Sequence, residues 1–334
     1  MAMKLNTDFI QENIATTNAR RIGLYDVNGN RVGQMPLDSL QPPTEGKKLY
    51  TFGVLSDVHI GDSTAENDFQ AALEYLNEKA NFVCISGDLT HTGTEEQRNT
   101  YKSIIETHSS IPVYAVSGNH DGQYIENLEN VIASYTGQPL YYSITYGNDV
   151  FIFVGNATGS RTRLFTTAEL QWLYETLEAN RNKRCFLFQH VRPDDTSGNT
   201  LNIYTYDIWE GTEQTIFENL LKHYKNVIFF HGHSHLKYDL QKYSDMANLD
   251  RKYGRCSVHV SSITVPRSTS SAVDTSIVGL YAESEGYVVD VYESGIHLRG
   301  RDFIKGEYLP IASYWIDTTP QEIAAKTYNE ITGV

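Results

Sequence analysis

Cysteine is scarce in this chain of 334 residues: the three present, Cys84, Cys185 and Cys256, are too few for a disulfide framework. Each lies in or beside an apolar run (NFVCISG, RCFLFQH, CSVHVSS), which reads as a small hydrophobe packed in a strand. Zinc-ribbon spacing is lacking too. No run approaches the ~18 apolar residues that span a bilayer, so no membrane span is expected. The opening MAMKLNTDFIQEN has no apolar core of the secretory kind. The expectation is a soluble, cytoplasmic protein, with virion or envelope association left open. Basic residues are outnumbered, 27 Lys and Arg against 41 Asp and Glu, for a formal charge of −14. That balance argues against a broad nucleic-acid surface, which needs clustered cations. It leaves room for a small anionic substrate, because bound metal ions can make one cleft locally positive.

What is present is an ordinary globular composition, 40% hydrophobic and 20% charged, without internal repeats. The length allows one large α/β domain with appendages. Residues 1–47 differ from the rest: they are polar and carry RIGLYDVNGNRVGQMPL, in which Asn28-Gly29 is a two-residue hairpin signal. Gln41-Pro42-Pro43 reads as a linker, so residues 1–47 form an N-terminal appendage and 48–334 the main domain, with a β-rich C-terminal part. From Lys48 strand and helix patterns alternate. Phe69, Leu73 and Leu76 recur at helical spacing, Ser63 with Glu66 suggests a capping box, and Thr94 with Gln97 suggests another. YYSITYG and DVFIFVG read as adjacent strands, and SSITVPRSTSSAVDTS at 261–276 as a surface loop.

Five apolar strand-like runs end directly in polar clusters: Asp57-Val58-His59, Gly87-Asp88, Gly118-Asn119-His120-Asp121, the single His190, and Gly232-His233-Ser234-His235. Ligands collect at the carboxyl ends of strands in open α/β sheets, so five such endings bring the same residue types to one place. Residues two apart in extended chain project to one side, so Asp57 with His59, and His233 with His235, each present two donors together. Carboxylate oxygen with imidazole nitrogen suits Mn, Fe or Zn rather than calcium. Each cluster alone has a plain alternative: a chance triplet, a packed histidine, a turn. The order of all five, each at a strand end, sets the alternatives aside.

The set resembles the calcineurin-like metallophosphoesterase superfamily, which carries D-x-H, G-D, G-N-H-D/E, a lone His and G-H-x-H in that order. The resemblance covers Phe52 to Leu240. Gly87-Asp88-Leu89-Thr90 followed by Gly93, and the segment PVYAVSGNHD, are similar to the branch holding class III cyclic-nucleotide phosphodiesterases and glycerophosphodiesterases. Purple acid phosphatases are less similar, since their tyrosine ligand would fall where this chain has His91. The resemblance implies a four-layer αββα sandwich; the strand and helix pattern alone supports only an α/β domain. It also implies two metal ions, one held by Asp57, His59, Asp88 and His235, the other by Asp88, Asn119, His190 and His233. His120 would assist the leaving oxygen, and Asp121 would orient His120. Such a pair of ions activates water for attack on a phosphate ester, here a diester in preference to a monoester.

Around the set, His91 and Arg192 are candidates to line the cleft, against the plain reading of Arg192 as a solvated loop residue. Tyr204 and Tyr206, with Trp209, could stack on a ring of the substrate or pack on the domain surface. His231 reads as a strand-end residue, and His108, His223, His259 and His297 have no motif context. The expected partner is a small phosphate-ester substrate; a homo-oligomer is left open. The rival readings are a monoesterase or nuclease of the same fold, a catalytically silent scaffold, and a module docked on a phage-tail or envelope assembly. The intact motif residues argue against the scaffold.

Overall fold

The computed structural model describes residues 4–5, 21–25, 31–36, 46–122, 127–157, 164–193, 196–198, 212–239, 248–269, 277–280 and 282–333. Near the N-terminus, β1 (Lys4–Leu5), β2 (Arg21–Tyr25) and β3 (Arg31–Pro36) form a small antiparallel sheet. Arg21 pairs with Pro36 and Leu24 with Gly33, the strand pairing that the Asn28-Gly29 signal predicts. The Gln41-Pro42-Pro43 linker lies outside the described residues.

The rest is organised by two six-stranded sheets. The first runs β17 (Glu307–Asp317), β16 (Gly295–Asp302), β15 (Glu285–Tyr292), β4 (Lys48–Leu55), β5 (Phe82–Ile85), β6 (Val113–Ala115). The second runs β11 (Leu249–Asp250), β12 (Cys256–His259), β10 (Val227–His231), β9 (Cys185–Phe188), β8 (Asp149–Val154), β7 (Tyr141–Tyr146). β4, β5 and β6 are parallel, as are β8, β9, β10 and β12. The strands β15–β17 join the first sheet antiparallel, so the β-rich C-terminal part completes it. A short pair, β13 (Arg267–Thr269) with β14 (Ile277–Gly279), stands apart.

Period-two alternation explains the layers, because successive side chains face opposite sides of a sheet. Phe52 and Val54 of β4, Phe151 and Phe153 of β8, Phe186 and Phe188 of β9, and Phe230 of β10 meet in one core between the sheets. The intervening Val83, Ile85 and Leu55 face helices α1 (Ala65–Lys79), α2 (Glu95–His108) and α3 (Leu128–Thr136). On the other side Ile152, Leu187 and Phe229 face α4 (Thr167–Ala179), α5 (Thr212–His223) and the short α6 (Tyr328–Thr332). The result is the four-layer αββα sandwich. The three cysteines are free and buried in strands. No described helix is long and apolar enough to cross a membrane.

Three local expectations need correction. α1 starts one residue later than its Ser63–Glu66 signal: Thr64 is the cap and makes no side-chain cap bond, which leaves Glu66 one place short of reciprocating. At α2 the hydroxyl of Thr94 accepts from the Gln97 amide at 3.3 Å, but the Gln97 side chain accepts instead from the amide of Thr92 at 2.8 Å. Ser261 to Val265 is no surface loop; all five residues are buried, because β12 delivers them beneath the ligand turns.

Candidate metal centre

The five polar clusters follow the carboxyl ends of β4, β5, β6, β9 and β10 and converge at one edge of the sandwich. Asp57, His59 and His235 bring one donor atom each within 4.8 Å of one another, and so do Asp88, His190 and His233. Asp88 touches both groups: its Oδ2 lies 2.9 Å from His190 Nε2 and 3.5 Å from His59 Nε2. Asp57 Oδ1 lies 3.0 Å from His235 Nε2. Asn119 is 6% exposed and stands in the loop after β6.

The backbone is shaped for this convergence. Asp57, His59, Asp88, His233 and His235 all adopt left-handed φ between 50° and 72°. Such a conformation costs an L-residue roughly 1–2 kcal/mol, and clustering of this strain marks functional turns. Two glycines permit the close approach. A β-carbon at Gly118 would collide with the Asp88 carboxylate, and one at Gly232 with Asp57 and Ser56.

Backbone oxygens set the imidazole tautomers. His190 Nδ1 donates to the oxygen of Ser86 at 2.7 Å, and His235 Nδ1 to that of Val265 at 3.2 Å. Each therefore turns an Nε2 toward the carboxylates, the arrangement that prepares histidine to ligate. Burial opposes charge on Asp57, but His235 and His190 outweigh it and hold its carboxyl well below the usual range. For Asp88 burial is likewise outweighed, chiefly by His190. Burial works against charge on His190 as well, yet Asp88 and Asp57 push it up to about 9. His235 falls to about 4, mainly through burial, and so is neutral.

The donor set fits metal ions. Asp57 Oδ1, Asn119 Oδ1 and His190 Nε2 are buried without an aligned hydrogen bond. His190 Nε2 is close to Asp88 yet misaligned for a bond, as expected of donors aimed at a shared third centre.

His120 stands at the rim, its ring centre 4.7 Å from that of His59 and its amide donating to Asp88 Oδ1 at 2.9 Å. The structure corrects the role expected for Asp121. Its carboxylate accepts from the amides of Leu89, Thr90 and Gly118 and from the Thr90 hydroxyl, at 2.8–3.0 Å. His120 Nδ1 donates instead to the backbone oxygen of His91 at 2.6 Å. The His91 ring centre sits 5.5 Å from that of His59 and 5.6 Å from that of His120, and one nitrogen from each of the three imidazoles lies within 4.8 Å of the others. Arg192 is 6% exposed rather than solvated; burial holds His231 and His259 below the ordinary histidine range, and the Arg192 charge adds to it. Tyr204, Tyr206 and Trp209 lie outside the described residues.

Sequence reading missed the floor of the site. The Ser262 hydroxyl donates to the oxygen of Asp57 at 3.0 Å, Thr264 donates to that of Val58, and the Ile263 amide to that of Ser56 at 3.0 Å. The signal was available: CSVHV is a sixth apolar run ending in polar residues. Serine and threonine are poor metal ligands, so that ending carries no metal-site signature.

An αββα sandwich with paired His/Asp clusters at its carboxyl edge has the make-up of a metal-dependent hydrolase. The family profile described as Calcineurin-like phosphoesterase matches residues 50–237, and the chain belongs to that family. It is 27% identical over 177 residues to the serine/threonine-protein phosphatase CPPED1 of Pongo abelii, covering 49% of this chain and 56% of that protein. It is 25% identical over 207 residues to a probable cyclic nucleotide phosphodiesterase of Fibrobacter succinogenes, covering 58% of this chain and 77% of that protein. The chain spans about half the length of the CPPED1 proteins it matches. Among solved structures, purple acid phosphatase PPD1 from yellow lupin (Lupinus luteus) seeds superposes with a TM-score of 0.53 at 17% identity, over 92% of this chain and 62% of that one. That likeness concerns the fold alone.

Proposed function

We propose that this chain hydrolyses phosphodiesters at a dinuclear metal centre. Asp57, His59, Asp88 and His235 would hold one ion; Asp88, Asn119, His190 and His233 would hold the other. The observation that carries the reading is the Asp88 carboxylate, 2.9 Å from one cluster and 3.5 Å from the other, where a bridging ligand belongs. Bound there, Mn, Fe or Zn would supply an activated water and neutralise charge on the phosphoryl group.

The chain's own residues do the rest. The oxygen of His91 keeps the His120 proton on Nδ1, so Nε2 is the nitrogen that meets substrate. In its imidazolium form His120 protonates the departing oxygen, a step that matters most for a poor leaving group such as a sugar alkoxide. His91 and Arg192 are proposed to bound the substrate side of the cleft.

Reconstituted enzyme offered a bis-aryl and a mono-aryl phosphate side by side tests the reading. Metal-dependent turnover that favours the diester and collapses in His120→Ala supports it; preference for the monoester refutes the diesterase assignment. The monoesterase reading draws on the CPPED1 relatives, which are named as phosphatases.

A further inference from the structure

At the end of the sandwich opposite the metal centre, the amino ends of β8, β9, β10 and β12 wall a cavity of about 290 Å³. Strands of four to six residues separate the two ends by roughly 15–20 Å. On a chain of charge −14 this cavity is cationic: Arg181, Lys183, Arg184 and Arg255 line it, against Asp149 and Glu293.

Counter-ions account for only part of that charge. Arg184 pairs with Asp149 at 2.6 Å and Arg181 with Glu178 at 3.1 Å. Arg255, 8% exposed, donates to the backbone oxygens of Asp317 and Thr319 at 3.0 and 2.8 Å, and the Asp317 carboxylate attracts it without closing to an ion pair. Lys183 likewise has no ion pair among the described residues. Arg184 Nε is buried without a hydrogen-bond partner, on a side chain 9% exposed. A buried guanidinium without a carboxylate in ion-pair contact is costly unless an anion completes the set.

We infer that this cavity is a second ligand site, for a small phosphorylated molecule, separate from the metal centre. A phosphate group presents several acceptor oxygens at once and so can meet the Arg255 fork and the Lys183 ammonium together. The volume lies at the small end of ligand pockets, which limits the occupant to the size of a sugar phosphate or mononucleotide. The site does not depend on the metal-centre reading: it shares strands with that centre but no residue.

Equilibrium dialysis of metal-loaded full-length protein against radiolabelled inorganic phosphate tests the inference, with Lys183→Gln and Arg255→Gln in parallel and bis-aryl phosphate turnover measured on each. The expected result is one phosphate fewer per chain in both variants, with turnover within twofold of the parent. The Lys183 substitution guards against a folding defect in the other. Equal stoichiometry in all three proteins would overturn the inference, as would displacement by succinate at the same concentration as unlabelled phosphate.

Discussion

The Nδ1–H of His120 points at the backbone oxygen of His91, 2.6 Å away, and not at the neighbouring Asp121 carboxylate. The two residues expected to act as a pair therefore fail in different ways. His120→Ala is expected to lower kcat by roughly 10²–10⁴-fold with metal content intact, the range for loss of a general acid. Asp121→Ala removes the acceptor that ties Leu89, Thr90 and Gly118 together, so thermal stability and metal content should both fall. Metal analysis with thermal unfolding separates the two; an Asp121→Ala protein with full metal and parental Tm would restore the tuning role.

Metal binding should release a proton from His190. In the metal-free protein this imidazole is held up to about 9 by Asp88 and Asp57 despite its burial, so it is protonated at neutral pH, while a ligand must be neutral. Apparent affinity should therefore rise by about tenfold per pH unit between pH 6 and 8 for that one proton. Calorimetry in buffers of different ionisation enthalpy measures the release directly. A binding heat independent of buffer would contradict it.

The Ser262 and Thr264 hydroxyls fix the carbonyls of the Asp57–Val58 turn. Ser262→Ala and Thr264→Val should each cost about 1 kcal/mol of stability, the net value of a typical hydrogen bond. Weakened support for ligands commonly costs about 10–100-fold in metal affinity. Unchanged affinity in both variants, measured by competition with a chelator, would show that the turn is held by backbone alone.

Glu285 gives the fold a pH dependence of its own. It is 2% exposed, and burial pushes its carboxyl up to about 8 despite the Tyr238 amide at 2.9 Å. The folded form thus holds this proton more tightly than the unfolded chain does. Its contribution is full below the ordinary glutamate value of about 4.3 and is lost as pH rises through 8. Glu285→Gln should therefore gain Tm relative to the parent between pH 5 and pH 8; a constant difference across that window would count against the shift.

Much of this was legible in the sequence because it is carried by periodicity and residue type. The strand and helix pattern announced an α/β domain, the family resemblance implied its four layers, and the His/Asp endings announced which residues gather at one edge. The part that stayed hidden is conformational. Left-handed φ at Asp57, His59 and Asp88 has no compositional mark, since these residues are chosen for their donor atoms rather than for turns. The partner of Asp121 was hidden for a related reason. The family resemblance suggested His120, whereas the turn aims the carboxylate back at the amides of Leu89 and Thr90. Ser262 and Thr264 looked like loop residues because composition does not show that β12 runs parallel to β10 and delivers them under the site.

Asp88 is proposed to join two ions in one centre. Metal analysis of manganese-reconstituted protein and its Asp88→Ala variant tests it most directly. Two ions per chain are expected in the parent and less than half that content in the variant, with turnover abolished. One ion per chain in the parent, or an Asp88→Ala variant that retains both, would contradict it.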